Sequence, residues 1–286
     1  MNPPPFSRKS IILAAVISFA ISTYVFTSFI SRDTHFVFCD VGQGDAFYAR
    51  VDNQIDMLVD GGPDTKVLSC LGRHMPFFDR TIEYLFVTHP DNDHIGGLLE
   101  VLNRYTVKTI VMNPIPDSSD TNRQLLKRIK EKHISVVSKY QDSKILFGSA
   151  KIQVLWPPRR LFTTGSTLPT NDYSLVFLFS SHNKHLLLTG DIPEYILEPI
   201  LREYAPHLDI FKLPHHGSKS GINRALLGLA EHALAVISVG AKNRYHHPAE
   251  TVIDLLEAMN IKYLRTDKKG DIVFTLAPTG KFLLSE

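Results

Sequence analysis

Hydrophobic positions along this chain follow two regimes. Residues 11–30 form a run of twenty without a charge, whereas from residue 36 onward short apolar stretches alternate with polar ones. In the second regime, apolar stretches with period two or with no interruption predict strands, and apolar positions recurring every three or four residues predict helices. Strands are expected at 36–41, 46–52 and 55–59, then a helix at 66–74 and a strand at 82–87. A helix at 95–105, a strand at 109–112, a helix at 122–133 and a strand at 135–138 continue the alternation. Strands at 151–155, 175–179 and 185–188 follow. The last third is expected to carry helices at 194–204, 223–231 and 250–259 among strands at 210–213, 235–239, 262–265, 272–276 and 282–284. This mixture favours two packed sheets flanked by helices. The stretches 114–121 and 157–170, rich in Pro, Ser, Thr and Gly, read as surface loops near a site rather than linkers, because strands resume on both sides.

The first regime reads differently. At about 1.5 Å rise per residue, 11–30 matches a hydrocarbon core of roughly 30 Å. Arg8 and Lys9 precede it, which predicts a short cytoplasmic tail, residues 1–10, and an exported remainder. The expectation is a single-pass anchor in the inner or cytoplasmic membrane, with the domain at 34–286 periplasmic or extracellular. A cleaved signal peptide is the alternative, although no small-x-small cleavage site follows.

Composition adds bounds. With 286 residues, 44% hydrophobic and 21% charged, the chain supports a sizeable core and is not of a disordered class. The formal net charge of +2 excludes a broad basic surface, so any basic patch is local. Cys39 and Cys70 are the only cysteines; a disulfide and two buried thiols both fit, while a zinc site built on cysteines is excluded.

Candidate chemistry sits at the predicted strand ends. His89, Asp91, Asp93 and His94 fall within six residues, after one predicted strand and before a helix. Imidazoles and carboxylates so crowded call for a divalent cation among them, whereas a helix cap needs only one such residue. Asp60-Gly61-Gly62, Thr189-Gly190-Asp191, His215-His216-Gly217-Ser218 and Tyr245-His246-His247-Pro248 close or follow other strands. Five such ends are expected to gather on one edge. The remaining histidines (His35, His74, His133, His182, His185, His207 and His232) are scattered and read as surface or structural.

These segments carry a resemblance. His89-x-Asp91-x-Asp93-His94 resembles the HxHxDH motif of the metallo-β-lactamase superfamily, with Asp in the second His position, and Asp191 and His216 match its bridging Asp and final His. Closer still, Asp40-Val41-Gly42-Gln43-Gly44-Asp45-Ala46, Asn171-Asp172-Tyr173-Ser174-Leu175-Val176, Lys212 to Ser218 and Arg265-Thr266-Asp267 resemble the C-terminal domain of the DNA-uptake channel ComEC and its free-standing relatives, in the family's order. The resemblance implies an α/β fold, an αββα four-layer sandwich, and a hydrolase acting on DNA, single-stranded by expectation, through two-metal activation of water. It implies one or two divalent ions, Zn²⁺ or Mn²⁺ or Mg²⁺, with a multi-helix membrane channel as partner. His89 and Asp91 would hold the first ion; Asp93, His94 and His216 the second; Asp191 would bridge. Asp91 in place of His hardens the first site toward Mn²⁺ or Mg²⁺. Asn171 or Asp172 stands where the superfamily has a further His.

Other roles follow less directly. Asp60 and Asn171 are expected to support the metal loops through hydrogen bonds, as is Asp45, which a turn explains equally well. Asp93, His215 and His247 are the catalytic candidates: His215 orients or binds phosphate, and His247 donates a proton to the leaving oxygen, contacts phosphate, or is a loop His before Pro248. Ser218 and Lys219, with Ser220, either hydrogen-bond phosphate or form a solvated loop. Arg244, with Lys212, Arg224 and Lys242, is a candidate for holding the strand's backbone. Two rival readings remain: a hydrolase of small phosphodiesters or esters on the same fold, and a membrane-tethered DNA-binding partner with a degenerate, catalytically weak site.

Overall fold

The computed structural model describes residues 7–116, 119–163, 168–204 and 208–285, the side chains of 25–30 excepted. The first six residues of the expected N-terminal tail, parts of the loops at 114–121 and 157–170, and His207 lie outside the described residues.

The charge-free run is helical, α1 (Arg8–Ile30). Yet among the described residues no helix is long and apolar enough to cross a membrane. This corrects the expectation of a single-pass membrane anchor with an exported domain. The helix is described with its side chains only from Arg8 to Tyr24, about 26 Å at 1.5 Å per residue, short of a hydrocarbon core of roughly 30 Å.

Two sheets stack face to face. The first has eight strands in the order β15-β14-β1-β2-β3-β4-β5-β6 and the second seven in the order β13-β12-β11-β10-β9-β8-β7. In chain order these are β1 (Thr34–Phe38), β2 (Phe47–Val51), β3 (Ile55–Val59), β4 (Thr81–Phe86), β5 (Thr106–Val111), β6 (Ser135–Val137), β7 (Lys144–Phe147), β8 (Ala150–Trp156), β9 (Val176–Ser181), β10 (Lys184–Leu188), β11 (Ile210–Lys212), β12 (Leu234–Ile237), β13 (Tyr263–Arg265), β14 (Ile272–Leu276) and β15 (Phe282–Ser285). The period-two pattern decides which way each strand faces. In β1, Phe36 and Phe38 enter the layer between the sheets, whereas Val37 faces the helices outside. Phe36 meets Phe179 of the other sheet edge-to-face, ring centroids 5.1 Å apart.

Helices α2 (Lys66–His74), α4 (Leu98–Arg104) and α5 (Asp120–Glu131) cover the first sheet; α6 (Glu194–Tyr204), α7 (Arg224–Leu229) and α8 (Glu250–Ala258) cover the second. In α2, Val67, Cys70 and Leu71 form the buried stripe, at the spacing a helix needs to present one face. The result is the expected αββα sandwich. Cys39, just past β1, is disulfide-bonded to Cys70 of α2, which decides between the two readings of the cysteines.

Three local departures have physical causes. The expected helix at 95–105 breaks into α3 (Asn92–Ile95) and α4 at Gly96-Gly97. A Cβ at Gly96 would lie 2.2 Å from the Pro63 carbonyl oxygen, and one at Gly97 2.2 Å from that of Gly61, so the metal-loop backbones pack where a regular helix would carry side chains. Strand β7 escapes a periodicity reading because it is a four-residue edge strand whose burial is confined largely to Phe147. Short α9 (Thr266–Lys269) follows β13 directly, where the polar sequence Thr266-Asp267-Lys268-Lys269 offers no helical stripe.

Candidate metal centre

Strands β3, β4, β10, β11 and β12 run toward one edge, and the loops leaving them supply the site. Asp60, just past β3, organises the first loop. Its Oδ1 accepts from the Thr88 backbone N–H at 2.9 Å, and its Oδ2 accepts from Thr88 Oγ1 at 2.6 Å and from His94 Nδ1 at 2.8 Å. Thr88 Oγ1 therefore spends its one proton on Asp60, and toward His89 Nδ1, 3.0 Å away, it accepts. On the opposite sheet, His216 Nδ1 donates to the Ser238 carbonyl oxygen at 3.0 Å. In all three imidazoles the Nδ1 proton is committed outward, which makes Nε2 the nitrogen that faces inward, as metal-ligating histidines are arranged.

The inward atoms converge. Asp93, His94, Asp191 and His216 each offer a ligand atom within 4.8 Å of the others. His94 Nε2 lies 3.3 Å from Asp191 Oδ1, and His216 Nε2 lies 3.3 Å from Asp93 Oδ2 and 3.4 Å from Asp191 Oδ2. The His89 ring lies tilted at 52° beside that of His94, centroids 4.1 Å apart, and its Nε2 is 3.7 Å from Asp91 Oδ2. Yet His89 Nε2, His94 Nε2, His216 Nε2 and Asp191 Oδ1 are buried without a hydrogen-bond partner. Each such atom costs about 1–3 kcal/mol, so four around one space fit a divalent cation far better than they fit each other.

Charges show the same preference. Burial pushes the His89 imidazole down to about 3, with His94 adding to the effect, so it stays neutral and able to ligate. Burial also opposes charge on His94 and His216, but Asp191, with Asp60 or Asp45, outweighs it and holds both well above the usual imidazole range. Asp191 is correspondingly held low by those histidines against its burial. A divalent ion would take over the positive charge that these imidazoles carry. Burial raises Asp91, opposed by a hydrogen bond from Thr170; its side chain is 41% exposed, at the mouth of the site.

Lys212 enters the site from behind. Its side chain is only 4% exposed, and its Nζ pairs with Asp45, donates to the Gly190 carbonyl at 3.2 Å and stands 3.9 Å from Asp191 Oδ1. Asp45 also reaches His216 Nδ1 at 3.4 Å; burial would raise its carboxyl, but Lys212 holds it low. Lys212 thus offsets buried carboxylate charge and cannot hold a solvent-borne strand, which corrects that expectation.

The remaining expected residues divide. His215 Nε2 is 3.9 Å from Asp191 Oδ2, and its ring is 5.7 Å from that of His247. Burial, with His215 and His216 nearby, lowers His247 to about 4, so at neutral pH it offers a neutral imidazole. Ser218 is buried and bonded to Ser220, while Lys219 is exposed. Arg244 donates to the Tyr245 hydroxyl at 2.7 Å. Asn171, on a 3-10 turn (Thr170–Tyr173), contributes its carbonyl to Ser174 N–H, and Asp172 is engaged by Tyr195. The residue of that segment which reaches the site is Ser174, whose Oγ is 3.4 Å from His89 Nδ1 and accepts from the Asp191 N–H at 3.2 Å. His182 and His185 bond to serines beside the turn between β9 and β10, at the opposite strand ends.

A family model described as the metallo-beta-lactamase superfamily matches residues 39–241. The ComE operon protein 3 of Bacillus subtilis (strain 168) is 27% identical over 254 residues, covering 82% of this chain and 32% of that protein. Competence protein ComA of Neisseria gonorrhoeae is 26% identical over 247 residues, covering 84% of this chain and 32% of that one. The chain thus spans about a third of these relatives' length. Among solved structures, the metallo-beta-lactamase fold protein YhfI of Bacillus subtilis aligns with a TM-score of 0.54 at 13% identity, over 88% of this chain and 100% of YhfI. Igni18, a metallo hydrolase of Ignicoccus hospitalis, aligns at 0.51 and 15% identity, over 89% and 99%. At such identities the likeness is one of fold.

Proposed function

The chain belongs to the metallo-beta-lactamase superfamily, and from that premise we propose that it is a divalent-metal-dependent phosphodiesterase that hydrolyses single-stranded DNA in connection with DNA uptake. The observation that carries this reading is the set of partnerless buried atoms, three imidazole Nε2 and one carboxylate oxygen. The uptake context is supported by the ComE operon and competence relatives. A separate multi-helix channel would be the partner.

His89 and Asp91 would hold one ion, Asp93, His94 and His216 the other, with Asp191 shared between them. When bound, such ions supply Lewis acidity and bring the pKa of water near neutrality. Three carboxylates among the ligands favour Mn²⁺ over Zn²⁺. The chain's own groups do the rest. Asp60 fixes the tautomer of His94, the Ser238 carbonyl that of His216, and Lys212 compensates carboxylate charge before an ion arrives. His215 and His247 line the approach: His215 orients the phosphate, and neutral His247 offers an N–H to the leaving oxygen. Lys219 and Arg244 stand outside as phosphate contacts, whereas Ser218 is buried against Ser220.

The test is degradation of linear single-stranded DNA by the Mn²⁺-loaded protein, with Asp93→Ala and His216→Ala as controls. Degradation that both substitutions abolish supports the proposal. Binding without degradation would replace it with a DNA-tethering role, which the sparse ligand set around His89 would then explain. Hydrolysis of a generic phosphodiester with no effect on DNA would replace it with a small-substrate enzyme.

A further inference from the structure

Beside the metal centre lies a cavity of about 400 Å³ whose lining includes Gln43, Asp93, Asn243, Arg244 and Tyr245. Asp93 is common to this cavity and to the ligand cluster, so an occupant of the cavity sits next to the reacting phosphate. Three of its features have no part in holding metal. Tyr245 is a large aromatic side chain left 49% exposed. Its ring lies nearly parallel to that of His247, at 16° and 5.9 Å, and His247 in turn stands beside His215. Gln43 Nε2 is buried with no hydrogen-bond partner.

The loop that carries Tyr245 is fixed in advance. Asn243 Oδ1 accepts from the Tyr245 and His247 backbone N–H groups at 3.1 and 3.0 Å, and its Nδ2 donates to the Gly240 and His247 carbonyls at 2.9 and 2.6 Å. All four hydrogen-bonding positions of that amide tie the loop to itself. An exposed ring on a braced loop loses little conformational entropy on binding a ligand. Arg244, whose guanidinium carbon lies over the ring 4.9 Å from its centroid, places positive charge beside the platform.

We infer that Tyr245 is a stacking platform for the nucleobase next to the scissile phosphate, with Gln43 Nε2 as a donor to that nucleotide and Arg244 as its phosphate contact. The inference rests on the proposed phosphodiesterase activity and specifies its substrate. A flat aromatic face accepts any base, so the subsite has little sequence preference. It accepts only a base free of its neighbours. In a duplex both faces are already stacked, so the platform itself selects single strands.

The test uses two 5′-labelled oligomers of equal length, one of deoxythymidine and one of abasic deoxyribose phosphate, which share backbone and charge and differ only in bases. Affinity is read by fluorescence anisotropy in EDTA and cleavage in Mn²⁺, for wild type, Tyr245→Ala and Tyr245→Phe. Wild type is expected to bind the thymidine oligomer about tenfold more tightly than the abasic one, with a matching difference in KM. Tyr245→Ala should erase that preference, and Tyr245→Phe, which keeps the ring, should retain it. Equal binding of both oligomers by wild type overturns the inference, as does a preference that survives in Tyr245→Ala. Base-dependent binding without cleavage in Mn²⁺ overturns the phosphodiesterase reading alone.

Discussion

Asp60→Asn isolates what the buried carboxylate does for the metal site. The side chain keeps its size, and its oxygen can still accept from the Thr88 N–H, now 2.9 Å from Oδ1. On the other side, an NH₂ group would face both Thr88 Oγ1 and His94 Nδ1, which at present donate to Oδ2 at 2.6 and 2.8 Å. Two donors cannot share that contact, so His94 must turn its unprotonated nitrogen toward the introduced amide and carry its proton on Nε2. That proton occupies the lone pair meant for the ion. Losing the partner that orients a ligating His typically costs about 10–100-fold in metal affinity, or about 1.4–2.7 kcal/mol. Isothermal titration of the EDTA-stripped protein with Mn²⁺ and with Zn²⁺ measures this directly, and urea unfolding without metal serves as control. A folded Asp60→Asn protein that binds metal within about twofold of wild type would refute the reasoning.

Other expectations follow from the same structure. Lys212→Met leaves Asp45 buried without its directly paired cation and should destabilise the metal-free protein by about 3–5 kcal/mol, less when Mn²⁺ is present; denaturation with and without metal reads both, and an unchanged midpoint contradicts the buried ion pair. Burial would raise Asp271, but His74, the Asp40 N–H and Arg73 outweigh it and hold the carboxyl at about 2, below its ordinary 3.8. Its contribution is therefore complete above pH 4 and lost as pH falls toward 2; Asp271→Asn should flatten that limb of a stability–pH curve, and a persistent limb assigns it elsewhere. Replacing Cys39 and Cys70 together by Ser releases a cross-link between positions 31 apart in sequence, worth about 3–4 kcal/mol in loop entropy; thermal unfolding that does not shift would show that the bond is not stabilising.

Much of this is legible in the chain because polar punctuation coincides with strand ends. Asp60, His89 to His94, Asp191 and His216 each follow an apolar run, and the two-sheet fold brings those ends to one edge. Residues that act through hydroxyls are harder to read. Thr88 and Ser174 fix His89 and Asp191, yet a Thr or Ser beside a strand has no periodic signature. Lys212 does carry a signal: it stands two positions after Ile210, which faces the layer between the sheets, so strand alternation turns the lysine inward. The break at Gly96-Gly97 escapes a helical pattern because its cause is a backbone contact from Gly61 and Pro63, far back along the chain.

The central claim is that Asp93, His94, Asp191 and His216 close around a divalent ion. Anomalous diffraction at the manganese edge from crystals grown with Mn²⁺ tests it most directly. The account expects a peak bounded by those four side chains, with a second between His89 and Asp91, and loss of the first in His216→Ala. Crystals with no anomalous peak within ligand distance of Asp93, His94, Asp191 and His216 would contradict it.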